Sequence, residues 1–131
     1  MELRTEEINE IFEIYEKIKQ ISKNNTIIEE ELDQLITKKV QTSLNLPDFS
    51  YWVIFGNGKF DYGEGEIQDI DILVKCNTHL MLQILNQKRS YLTEFVKKGL
   101  QIQGDIQYGV VYFDFLNYSL DMSKNKGGEL S

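Results

Sequence analysis

Cysteine, histidine, proline and tryptophan each occur once in this chain. A lone Cys76 excludes an internal disulfide and suits a reducing cytoplasmic setting. With His79 as the sole histidine, the Cys and His sets of structural zinc sites are excluded as well. No apolar run approaches the roughly 20 residues of a membrane-spanning helix, so no membrane partner is expected. The opening MELRTEEINE reads as too polar for a secretory signal. Cations are also scarce, 14 Lys and Arg against 21 Asp and Glu, for a formal net charge of −7. Tight binding to a phosphate backbone relies on cations displacing counterions, so the balance disfavours it and leaves room only for a small basic patch.

What is present reads as an ordinary globular domain, 41% apolar and 27% charged over 131 residues, enough for a core without covalent staples. Residues 2–22 form an amphipathic helix by spacing, with Ile8, Ile11, Tyr15 and Ile18 on one stripe. Thr26 and Glu29 make a capping box that starts a second helix through Leu32, Leu35, Ile36 and Val40. That helix must stop before Pro47. SYWVIFG and DIDILVK are two strands, and the segment between them reads as a loop. NTHLMLQILNQKRSYLTEFVKKG is one helix capped at Asn77 or Thr78 and ended by Gly99. IQYGVVYFDFL is a third strand, with LQIQ as a short neighbour turned at Gly104-Asp105. The expected fold is α+β, a small mixed β-sheet with helices packed on one side. It forms a single domain over 1–122, with N-terminal helices in 1–46, a strand–helix–strand core in 50–121 and a flexible tail over 123–131.

The stretch IFGNGKFDYGEGEIQDIDIL carries the most chemistry. On a strand, Asp69 and Asp71 share one face, with Cα atoms roughly 6.5 Å apart. At about 4 Å two such carboxylates repel by roughly 4 kcal/mol at an effective dielectric of 20. A divalent ion would offset that cost, and a polar strand end in solvent would avoid it. In VVYFDF, Asp114 is a charge set in an apolar strand, expensive to bury unless paired, which makes it a third candidate metal ligand. Asp105 is a weaker one, since Gly-Asp reads well as a turn. Gly56 frees the backbone to approach a phosphate, Asn57 adds an amide donor, and Lys59 is the loop's one cation. A calcium site on Asp61, Glu64, Glu66, Asp69 and Asp71 is a further reading, although the spacing is not that of an EF-hand.

Gly56-Asn57, a glycine-containing loop and Asp69-Ile70-Asp71-Ile72-Leu73 resemble the signature of the DNA polymerase β-like nucleotidyltransferase superfamily. The likeness is greatest to its minimal stand-alone members, often paired with a HEPN-domain partner in toxin–antitoxin systems, and it covers roughly Leu32 to Leu116. The resemblance implies a nucleotidyltransferase-like core preceded by two helices. It implies catalytic, Mg²⁺- or Mn²⁺-binding roles for Asp69, Asp71 and Asp114, and nucleotide-binding roles for Gly56, Asn57 and Lys59. The implied activity is transfer of a nucleoside monophosphate from ATP or another triphosphate to a hydroxyl on a protein or RNA. In so short a chain the choice of acceptor would come from a protein partner, a homo-oligomer or the N-terminal helices. Asn57 stands where serine is usual, and Gln68 where serine or threonine often precedes the acidic pair. The alternative is therefore a catalytically degenerate relative that binds and neutralises a protein partner.

Overall fold

The computed structural model describes residues 5–129, with side chains through residue 124. The elements run α1 (Glu6–Asn24), α2 (Thr26–Gln34), β1 (Lys38–Asn45), β2 (Phe49–Gly56), β3 (Lys59–Glu64), β4 (Ile72–Asn77), α3 (Thr78–Leu85), α4 (Tyr91–Val96), β5 (Gln101–Gly104) and α5 (Ile106–Glu129). The architecture is α+β around a five-stranded mixed sheet ordered β3-β2-β1-β4-β5. β1 and β4 are parallel and the other pairs antiparallel. Among the described residues no helix is long and apolar enough to cross a membrane.

α1 follows its sequence signals. Thr5 caps it by accepting a hydrogen bond from the Ile8 N–H, and the 3/4-spaced Ile8, Ile11, Tyr15 and Ile18 are buried. Each such burial contributes about 1.5–3 kcal/mol. α2 starts one residue earlier than the capping box suggests, because the Asn25 side chain accepts from both Ile27 and Ile28 N–H groups. It also ends earlier. The expected helix through Val40 stops at Gln34, and the chain enters β1, where Val40, Thr42 and Leu44 alternate inward. That period of two belongs to a strand with one buried face.

The same alternation in β2 buries Phe49, Tyr51, Val53 and Phe55, and in β4 Ile72, Val74 and Cys76. These side chains form one core cluster with α1, α2, α3 and α5. On the opposite sheet face Ser50, Trp52, Ile54 and Leu73 are only half-buried. There Gln41 is covered by the chain after β3, donating to the Gly65 carbonyl and accepting from the Ile67 N–H. β3 itself occupies part of the segment expected to be a loop, pairing with β2 as a hairpin.

The single helix expected over 77–99 is two. Asn77 caps α3 as anticipated, but Gln87 takes a left-handed backbone (φ 61°) and Ser90 caps α4 anew. β5 lies where LQIQ reads as a strand. The largest correction is α5: the strand expected in IQYGVVYFDFL is a helix. Tyr112, Phe113, Leu116 and Leu120 are buried at helical spacing. Gly109 lets this helix approach the sheet, since a Cβ there would lie 2.7 Å from Ile102 Cγ2. α5 continues through residues 123–129, where the sequence suggests a tail. Residues 1–4 and 130–131 lie outside the described residues.

Asp105 starts α5. Its carboxylate accepts from the Tyr108 N–H at 3.1 Å and pairs with Lys38 at 3.0 Å. The helix-end hydrogen bond first, and Lys38 second, hold its pKa below the ordinary carboxylate value. The ionised form therefore stabilises the fold at neutral pH. That contribution drains as pH falls from about 4 through the lowered pKa. Asp105→Asn keeps a capping side chain and removes the charge. Its melting temperature should decline less steeply than wild type as pH is lowered below about 4, in melts run across that range.

Candidate functional site

The structure does not gather the expected acidic site. Asp69 and Asp71 precede β4 rather than lying on it. Asp69 is exposed in a left-handed turn, φ 57°. Asp71 ties two strand starts together: its carboxylate accepts from the Lys39 N–H at 2.8 Å, and its own N–H donates to the Lys39 carbonyl. Asp114 is on α5 instead of a strand. It is exposed and accepts a hydrogen bond from the Tyr91 hydroxyl. Helical spacing explains this, because Tyr112, Phe113, Phe115 and Leu116 turn inward and leave 114 outside. Among the described residues, no three His, Cys, Asp or Glu side chains come close enough to hold a metal ion.

The glycine turn also has a structural job. Gly56 ends β2 with φ 122°, its α-carbon against the backbone of Ile36 and Thr37. The Asn57 amide donates to Thr37 Oγ1 at 2.7 Å, and its backbone N–H to the Leu35 carbonyl. Lys59 opens β3 and is exposed. The turn thus locks the β2–β3 hairpin onto the α2–β1 connection. Of the other loop carboxylates, Asp61 pairs with Lys19 at 3.1 Å.

What the fold does assemble is a packed aromatic interior with a surface cleft beside it. Between α2 and α5 a cavity of about 260 Å³ is lined by Glu31, Leu35, Val111, Asp114, Phe115 and Tyr118. Carboxylates stand at its rim and apolar side chains line its depth. Phe115 is buried, and its ring lies 5.9 Å from Phe60 and 6.4 Å from Phe55, centroid to centroid. Phe55 in turn lies 5.2 Å from Tyr112. A second cleft of similar volume, between α1 and α5, is lined by Lys17, Gln20, Ile21, Asn24, Asn25 and Ser123.

At the centre three tyrosine hydroxyls meet, each from a fully buried side chain. Tyr15 is 3.0 Å from Tyr51 and 2.8 Å from Tyr112, oxygen to oxygen. Burial, above all, pushes all three phenols well above their ordinary pKa, so they stay protonated. Burial also pushes the Cys76 thiol up to about 12, which leaves it neither nucleophile nor metal ligand at neutral pH. Tyr91 is raised as well, by desolvation and then by its hydrogen bond to Asp114. Nothing in this interior resembles a nucleophile beside a base. It is a packed apolar core with a few uncharged hydroxyls. Sequence reasoning misses the tyrosines because it places Tyr15 on a core stripe and Tyr112 on a strand. The 3/4 spacing of Tyr112, Leu116 and Leu120 is the available signal.

Residues 18–117 match the family model of the SCP-2 sterol transfer family. None of the curated proteins matches the chain in sequence. Among solved structures, a "UbiJ-SCP2 Ubiquinone synthesis protein" is similar with a TM-score of 0.66 at 16% identity, over 82% of this chain and 92% of that one. Sterol carrier protein 2 from Yarrowia lipolytica, in its apo form, gives 0.64 at 14% identity, over 91% and 98%. Palmitated SCP2L2 from Aedes aegypti gives 0.62 at 15% identity, over 79% and 90%. These findings overturn the nucleotidyltransferase resemblance, and with it the magnesium-dependent transfer, the nucleoside triphosphate and RNA partners and the toxin–antitoxin setting. The degenerate, partner-neutralising alternative falls with them. The motif misleads because Gly-x-Gly and Asp-x-Asp also occur where a hairpin turn and a strand entry simply need them.

Proposed function

The chain belongs to the SCP-2 sterol transfer family, and from that premise we propose that it takes up a single lipid and carries it through water. The lipid lies between the helical layer and the inner face of the sheet. The α2–α5 cleft is its way in. The observation that carries this reading is the continuous apolar packing from Leu35 and Val111 at the cleft, by Phe115, to Phe55 and Tyr112 in the core. The driving force is the area of hydrocarbon withdrawn from water, about 25 cal/mol per Å². Aromatic rings now fill the interior, so uptake requires α5 to shift on the sheet, as a gating helix does. A carrier of this kind works in an aqueous compartment, and we place it in the cytosol.

The test is transfer between vesicles. Phosphatidylcholine vesicles loaded with dehydroergosterol or a pyrene-labelled acyl chain are mixed with unlabelled acceptors. Protein should accelerate exchange in proportion to its concentration and should bind at least one probe saturably. Unchanged exchange together with no binding of either probe would discard the reading.

A further inference from the structure

We propose that the outward face of α4, with the cations that flank it, docks the protein on the surface of a membrane rich in anionic lipid. This gives the lipid-carrier reading a partner and rests on that reading for its purpose. The first observation is a segregation of charge. The segment from Lys75 to Gly104 holds five of the chain's 14 Lys and Arg but only one of its 21 Asp and Glu. The five are Lys75, Lys88, Arg89, Lys97 and Lys98, all exposed, in a chain whose net charge is −7. The one carboxylate, Glu94, is buried and turned to Arg89 at 3.4 Å. Two carboxylates of α5 are hydrogen-bonded to this segment, and they meet Tyr91 and Gln87 rather than a lysine. Among the described residues no ion pair engages Lys75, Lys88, Lys97 or Lys98. The acidic remainder of the chain is screened beyond about 8–10 Å at physiological salt, so the patch acts locally.

The second observation is what these cations surround. α4 turns Tyr91 and Glu94 inward, while Leu92 and Val96, one turn apart, are 48% and 78% exposed. Cations beside exposed hydrocarbon make up the face that seats a helix at the headgroup boundary of a bilayer, charges among the lipid phosphates and apolar tips beneath them. A nucleic-acid backbone would gain nothing from Leu92 and Val96. α1 offers no rival face, since Glu6, Glu7, Glu10, Glu13 and Glu16 stand in its first three turns without a cation. The patch is also well placed. Tyr91 stacks on Phe113 of α5, ring centroids 5.1 Å apart, and donates to Asp114, which lines the α2–α5 cleft. A protein resting on α4 therefore holds that cleft close to the lipid surface. The contact is superficial, since among the described residues no helix is long and apolar enough to cross a membrane.

The experiment is co-sedimentation with sucrose-loaded vesicles of phosphatidylcholine, alone or mixed with phosphatidylglycerol. Wild type should bind the mixed vesicles about tenfold or more tightly than the neutral ones, and added salt should remove most of that difference. A lysine near an anionic surface contributes about fivefold, so Lys88→Glu, Lys97→Glu and Lys98→Glu combined should weaken binding to mixed vesicles by about a hundredfold. Arginine at the same three positions should stay near wild type. Leu92→Ser with Val96→Ser should cost about tenfold and leave the salt dependence in place. All five side chains are exposed, so melting temperatures should change little. Equal binding to both vesicle types, wild-type binding by the glutamate variant, or retention of the protein by duplex DNA but not by mixed vesicles would overturn the docking surface. Dehydroergosterol binding, measured without vesicles, keeps the two readings apart. It should be unaltered in every variant, and its absence from a wild type that still docks would discard the carrier and leave the docking surface standing.

Discussion

Gly56→Ala should lower the melting temperature by roughly 10 °C, the shift that about 3 kcal/mol produces in a domain of this size. Two independent costs meet at this position. The backbone sits at φ 122°, outside the region a side chain tolerates. A Cβ there would also lie 2.5 Å from the Ile36 carbonyl oxygen, 2.6 Å from its carbon and 2.7 Å from Thr37 Cα. These are main-chain atoms, so no rotamer change relieves the clash. The α2–β1 connection would have to lift from the hairpin turn, breaking the hydrogen bonds that Asn57 makes to Leu35 and Thr37. Gly65→Ala is the matched control. Its backbone has φ 92°, but a Cβ added there would meet nothing within 4 Å, so only backbone strain of about 1 kcal/mol applies. Paired urea melts of the two variants separate strain from clash. Equal losses would sink the account.

Val111→Asp should weaken lipid uptake by about tenfold or more while costing little in stability. Val111 is half-buried on α5 and lines the α2–α5 cleft beside Leu35 and Phe115. A carboxylate there would have to be desolvated as hydrocarbon slides past, an expense of several kcal/mol if burial were complete and less in this open cleft. It would also sit one turn from Asp114 on the same helix, and like charges at that spacing repel. Val111→Leu keeps the cleft apolar and should stay near wild type. Saturation binding of dehydroergosterol, with melting curves beside it, makes the comparison. A Val111→Asp protein that binds as well as Val111→Leu would move the entry path elsewhere, with the α1–α5 cleft next to be tried.

The sequence discloses those elements whose signals are local. α1 is legible because Ile8, Ile11, Tyr15 and Ile18 repeat at helical spacing, and the start of α3 because Asn77 is a capping residue before an apolar run. β3 is hidden because an exposed edge strand rich in glycine and carboxylate looks like a loop. α5 is hidden by composition: Val110, Val111, Tyr112, Phe113 and Phe115 all favour strands, and a short run so rich in β-branched and aromatic residues reads as a buried strand. Tertiary packing overrides that preference. The site is the least legible part. Tyr15 meets Tyr112 across 97 residues of chain, and no spacing rule brings together side chains that far apart. Asp69, Asp71 and Asp114 look like a site only when each is read on a strand, and the structure puts none of them on one.

The order of elements along the chain sets a timetable during synthesis. All five strands leave the ribosome before α5 does. Ile72, Val74 and Ile102 therefore have a sheet to join before the helix carrying Tyr112, Phe113 and Leu116 exists to shelter them. Until then the nascent domain presents a bare apolar wall, the kind of surface that chaperones hold and that aggregates recruit. On the proposed function, the same wall would be uncovered whenever α5 swings out to admit lipid. An open state of that kind would be in the same predicament as a half-made domain, and both would be relieved by the same helix coming down.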